Sequence, residues 1–229
     1  MSLSQDGVIQ YRLLRCNTWK PRMPLSPPVP REGLHTRRIE LHGFLRQDGL
    51  YDIEAQLADT KSHGFDSEDR GRVEAGEKLH GMWMRMTVDQ DMRIVACEAA
   101  IDYSPYAVCP RAAPNFARLA GLTIRPGFLK EAAGLVGGTA GCTHLRELLQ
   151  QVATTAFQTI GPARARRGAA RTPHSDRDSL GGRSAEQIGD RPRILNTCVA
   201  YSTDSPVVRR RWPHLFTGEQ KALPAEGGP

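Results

Sequence analysis

The feature that most constrains this chain is the strict alternation on either side of Asp48-Gly49. Tyr51, Ile53, Ala55 and Leu57 interleave with Asp52, Glu54 and Gln56, and upstream Ile39 and Leu41 sit between polar neighbours. A period of two gathers apolar side chains on one face of a strand. Asp-Gly supplies the positive φ that a tight hairpin turn needs. An antiparallel hairpin is therefore predicted. A second pair follows it. Met82, Met84, Met86 and Val88 share one face while Trp83, Arg85 and Thr87 share the other; after Asp89-Gln90-Asp91, Val95, Cys97, Ala99 and Ile101 again share a face. Between the pairs, residues 61–78, "KSHGFDSEDRGRVEAGEK", are polar and glycine-bearing and read as a long loop. Four antiparallel strands in succession make a meander, and its apolar side needs a cover.

The second half of the chain supplies that cover. "PNFARLAGL" predicts a short helix capped near Asn115, with Phe116, Leu119 and Ala120 on one side. "RPGFLKEAAGLVGG" predicts another, with a proline suited to a first turn and a glycine pair suited to a stop. "CTHLRELLQQVATTAFQTI" then carries Leu145, Leu148, Leu149, Val152, Ala153 and Ala156, a wide apolar stripe of helical period. Strands followed by helices, rather than alternating with them, give the α+β class: a β-meander of about four strands covered by C-terminal helices.

Composition organises the rest. Residues 1–32 end in the proline-rich "KPRMPLSPPVPRE", which favours extended backbone and reads as a leader. Residues 33–160 form the α+β domain. Residues 161–193 carry eight arginines and almost no large apolar side chain, so a disordered insertion is expected there. Residues 194–218, with one β-rich run and a Trp-Pro close, are expected to dock on the domain, and 219–229 to form a disordered tail. The net charge of +6 lies largely in the stretches read as unfolded. No aromatic platform accompanies the arginine tract, so a solvated linker is favoured over a nucleic-acid arm. No secretory leader and no apolar run long enough to span a membrane is visible. The five cysteines, Cys16, Cys97, Cys109, Cys142 and Cys198, are odd in number and irregularly spaced, which argues against a secreted disulfide scaffold and for the cytoplasm.

One stretch carries chemistry. In "GGTAGCTHLRELL", residues 137–149, Cys142 stands at the opening of a helix, where unpaired amides and the macrodipole favour thiolate, and His144 follows two positions on. Two positions are roughly 200° around a helix, so the pair can converge only if Cys142 stays outside the first turn. Upstream, Cys109 lies in the proline-bracketed "DYSPYAVCPRAAPNF", with Asp102 at the end of the preceding strand. If the two helix starts face one edge of the sheet, Cys109, Cys142, His144 and Asp102 form an S/N/O ligand set suited to Zn or iron–sulfur chemistry. The spacing from Cys109 to Cys142 matches no paired Cys-x2-Cys zinc signature, so buried structural roles for these side chains stay open. Cys97, on a strand face with Val95 and Ala99, reads as an inert core thiol, as does Cys198 in its apolar run, and Met82, Met84 and Met86 read as sheet core rather than a metal stripe.

The segments "MPLSPPVPREGLHTRRIELHGFLRQDGLYDIEAQLADTK", "SPYAVCP", "PNFARLAGLTI", "GCTHLRELL", "ATTAFQ" and "RRRWP" resemble a bacterial family known only as a domain of unknown function, over about residues 23–218. That resemblance implies no activity. The order of a β-meander, a cysteine before a helix and a Cys/His pair opening an alanine-bearing helix is also similar to U-type iron–sulfur scaffold proteins. This second resemblance implies a scaffold-like topology in which Cys109, Cys142 and His144 hold a nascent cluster or zinc, and a protein partner acting as cluster donor or client. Residues 35–60 contain no cysteine to match the scaffold's first, and the order here is Cys-Thr-His rather than His-Cys. The expected function is thus a metal or iron–sulfur binding domain in maturation or carrier work. Its alternatives are a cysteine enzyme with Cys142 as nucleophile and His144 as base, and a structural or adaptor domain without a site.

Overall fold

The computed structural model describes residues 25–171, 192 and 194–218. Contacts divide the chain into Met1–Gly33 and Leu34–Pro229. In the first unit the described residues, 25–33, form neither helix nor strand. The second unit holds the fold.

The alternation around Asp48-Gly49 becomes β1 (His35–Leu45) and β2 (Tyr51–Lys61), paired in register from His35 opposite Lys61 to Leu45 opposite Tyr51. Gly49 takes φ 88° in the turn, a value that a side chain would resist. The later pair is β5 (Lys78–Val88) and β6 (Ile94–Tyr103), and the antiparallel sheet runs β1-β2-β5-β6. The meander and the α+β class predicted from the sequence are both present. Residues 61–78 differ from the expected loop: they hold a small hairpin of β3 (Phe65–Ser67) and β4 (Gly71–Val73). Its three-residue strands are too short for alternation to show in the sequence.

Tyr51, Ile53, Ala55 and Leu57 are buried, as are Met82, Met84, Met86 and Val88. In β6 the predicted face is partly wrong. A register shift between Thr87 and Val88 sets Val88 opposite Ile94, so Ile94 turns inward and Val95 is 48% exposed. One extra residue flips the side-chain parity of everything before it. Cys97 and Ile101 remain inside.

Over this face lie a 3-10 segment (Cys109–Leu119), α1 (Phe128–Val136) and α2 (Thr143–Arg171). The 3-10 segment packs against β6, and α2 crosses β2, β1 and β5. Leu145, Leu148, Leu149, Val152 and Ala156 of α2 are buried. Burial of each leucine or valine contributes about 1.5–3 kcal/mol before entropy is counted. The segment expected to begin as a helix near Asn115 begins instead at Cys109, and Asn115 Nδ2 donates to Ala140 O at 2.8 Å rather than capping. Ala120 is exposed, while Ala113 joins Phe116 and Leu119 on the buried side.

α2 passes residue 160, the expected end of the domain, and continues through Pro162 to Arg171. Alanine and arginine favour a helix once one is nucleated. Ala163 also packs on the core, and Arg164 Nη1 donates to Gln90 O at 2.9 Å. Residues 172–191 and 193 of the arginine tract, like the leader to residue 24 and the tail from 219, lie outside the described residues. In the C-terminal segment, α3 (Pro206–Arg211) starts at Ser205, whose hydroxyl accepts from Val208 N. Leu195 and Val208 are buried there, outside the main apolar cluster. Among the described residues no helix is long and apolar enough to cross a membrane.

Candidate functional site

The inward face of the sheet is apolar except at one end. There Arg37 of β1 pairs with Asp59 of β2, and Asp59 with His80 of β5, so three polar side chains form a row across three strands. A register irregularity at Asp59/Thr60 marks the end of regular pairing. Such bulges re-aim side chains near functional sites. The first turn of α2 brings His144 over the row and Glu147 onto Arg37.

Asp59 is the centre. Its side chain is 1% exposed, and its carboxylate accepts Arg37 Nε and Nη2 at 2.8 Å each and His80 Nδ1 at 3.0 Å. His35 Nε2 lies 3.2 Å from Oδ1, and His144 Nε2 lies 3.9 Å from Oδ2. Burial opposes its ionisation. The hydrogen bonds and charge of Arg37, with help from His80, outweigh that and hold the carboxyl below its ordinary value. The imidazoles move the other way. Burial lowers both His80 and His144, with the mutual proximity of the two rings adding at His80 and Arg37 adding at His144. The rings lie against each other with centroids 3.8 Å apart and planes tilted by 32°. The site therefore combines an anionic carboxylate with two neutral imidazoles.

A cleft of about 680 Å³ opens beside the histidines, bounded by the start of β5, the loop before the 3-10 segment and the start of α2. The β3–β4 hairpin braces its wall: Ser67 Oγ donates to Pro105 O at 3.1 Å, and Asp69 Oδ2 accepts from Ala107 N at 2.7 Å. Gly141 lines the cleft where a Cβ would fall 1.8 Å from Val136 O, so only glycine lets the chain pass α1 and start α2 there.

Three of the four residues expected from the sequence, Cys109, Cys142 and His144, line this cleft. Cys142 stays outside α2, the condition set by helical geometry, and its Sγ lies 3.9 Å from His144 Nδ1. Asp102 does not join them. It follows the inward Ile101, so the pleat turns it to the solvent face, where Trp83 Nε1 donates to it at 2.7 Å. The ligand atoms that do converge are a carboxylate oxygen of Asp59 and one nitrogen each of His80 and His144, all within 4.8 Å of one another. Neither sulfur belongs to that group. Asp59 and His80 were missed by the sequence reading, although both occupy inward positions of apolar strand faces. A polar side chain at such a position is the signal that could have found them.

The family model described as "Protein of unknown function (DUF2889)" matches residues 35–158. No curated protein and no solved structure matches the chain, so the resemblance to U-type scaffold proteins gains no support.

Proposed function

The chain belongs to the DUF2889 family, and from the geometry at its sheet end we propose that it binds one divalent transition-metal ion through Asp59, His80 and His144. The observation that carries this reading is the convergence of one carboxylate oxygen and two imidazole nitrogens within 4.8 Å. Metal ligands must be deprotonated, and the directions in which all three groups are shifted favour their ligating forms. Arg37 takes the part of an outer partner, fixing the carboxylate through two hydrogen bonds. A mixed N/N/O set suits zinc, iron(II), cobalt or nickel. Iron–sulfur clusters are held by thiolates, which the convergent group lacks, so a mononuclear ion is favoured over a cluster. Such an ion, when bound, polarises an oxygen ligand at its open positions. In the carrier role expected from the sequence, with a protein donor or client, this group is where the ion would rest.

The test is metal stoichiometry. Protein purified without chelator, or titrated with Co(II) and followed by visible absorption, should take up about one equivalent per chain. His80→Ala and His144→Ala should abolish uptake, whereas Cys109→Ser and Cys142→Ser should retain it. Uptake that survives both histidine changes would remove this reading.

A second reading rests on the 3.9 Å separation of Cys142 Sγ and His144 Nδ1, a thiol–imidazole pair in a cleft. It makes Cys142 a nucleophile and His144 its base. Fast, selective alkylation of Cys142 by iodoacetamide at neutral pH, slowed in His144→Ala, would favour it.

A further inference from the structure

We infer that the cleft beside His80 and His144 takes a small organic monocarboxylate, with its apolar body against Met82, Tyr106 and Val108 and its carboxylate held at Arg111. This deepens the metal reading and rests on it for what the histidine end of the ligand meets. The cleft volume of about 680 Å³ falls within the range of small-molecule sites. Its walls are largely apolar, and two of its apolar side chains are open to water: Tyr106 is 55% exposed and Val108 57%. Apolar side chains gathered at a cleft mouth mark a surface that gains from being covered.

Charge selects the sign of the ligand. Among the described residues that line the cleft none is acidic, and the one permanent charge is the guanidinium of Arg111. On the histidine side the Asp59 carboxylate is buried, paired with Arg37 and directed at the histidines, so it does not line the cleft. An organic ammonium placed at Arg111 would meet a positive charge and no carboxylate on the cleft wall. A carboxylate can take two parallel hydrogen bonds from Arg111, the arrangement in which arginine is most selective. The apolar side chains that share the cleft with Arg111, among them Met82, Tyr106 and Val108, argue for an anion with a hydrocarbon body rather than for acetate or phosphate alone.

Calorimetric titration of the full chain, both metal-loaded and EDTA-treated, with hexanoate, hexanamide, hexylamine and acetate tests this. Hexanoate should bind saturably and at least tenfold more tightly than hexanamide or acetate, and hexylamine should not bind. Arg111→Gln should bring hexanoate down to the level of hexanamide. Val108→Glu, which sets a negative charge at the exposed rim, should weaken hexanoate to a similar degree and keep the parent melting temperature. Equal binding of hexanoate, hexanamide and hexylamine, or hexanoate affinity unmoved by Arg111→Gln, would overturn the inference. If the protein takes up no metal yet binds hexanoate through Arg111, only the metal reading fails. If it takes up metal and ignores hexanoate, only this inference fails.

Discussion

His80 Nδ1 lies 3.0 Å from Asp59 Oδ2, across two neighbouring strands, at a carboxylate that is 1% exposed. One buried anion thereby holds Arg37, His80 and the first turn of α2 at one sheet end. Removing it leaves a part-buried guanidinium and two histidines without their acceptor, the situation in which breaking an ion pair costs most. Because Arg37 is about a third exposed, water screens part of that cost. Asp59→Ala should lower unfolding stability by roughly 2–3 kcal/mol. Urea denaturation of the metal-free protein checks this, and a loss below about 0.5 kcal/mol would show that the carboxylate is dispensable to the fold.

The acid side of the stability profile should carry the same site. Asp59 is held below its ordinary value in the folded chain, so its contribution is complete above the unfolded value near 3.8 and is lost as pH falls through the folded one. His80 and His144 are also held below their ordinary 6.5, so the unfolded chain takes up protons first as pH falls below 6.5. The two effects share a sign. The urea midpoint of EDTA-treated protein should begin to decline as pH falls below 6.5 and decline again below about 3.8. The double variant His80→Gln/His144→Gln should lose the first decline and keep the second.

The sheet was legible because its signal is local: period-two faces and an Asp-Gly turn need no knowledge of distant residues. The β6 error came from a bulge, which is set by pairing with β5 and leaves no mark in Val95 or its neighbours. The site was half legible. Cys142 and His144 announce themselves as a pair at a helix start, and the structure does bring Cys109 to the same cleft. Asp59 and His80 are 21 residues apart and become partners only through strand register. Asp102 stands close to Cys109 in sequence yet points to solvent, whereas the burial of Asp59 follows only from its pairing with β1 and β5.

Cys97 should be the last thiol to react. Burial against the helices raises it to about 12, with Glu98 adding a smaller upward push, and the residue is 5% exposed. At pH 8 almost none of it is thiolate, the form that attacks. Cys198 is exposed. Peptide-level mass spectrometry after iodoacetamide treatment of native protein at pH 8 should find Cys198 modified early, Cys109 and Cys142 later, and Cys97 only after urea is added. Early modification of Cys97 would mean that β6 opens readily from the sheet.

Gly141→Ala tests whether the entry to α2 is as tight as its backbone path implies. The glycine has φ −137° and ψ −171°, extended values that alanine adopts freely, so no conformational strain is involved. The obstacle is steric: the added carbon would stand 1.8 Å from Val136 O, a backbone atom that cannot rotate away. Either the end of α1 or the start of α2 must move, and overpacking of this kind costs about 1–3 kcal/mol. Since Cys142 and His144 follow directly, the displacement also moves one wall of the cleft and one proposed metal ligand. The variant should therefore melt lower and take up Co(II) at least tenfold more weakly than the parent, whereas Gly134→Ala, with open space around its Cβ position in α1, should change neither. A Gly141→Ala protein with parent stability and parent metal uptake would show that the crowded junction relaxes without reaching His144.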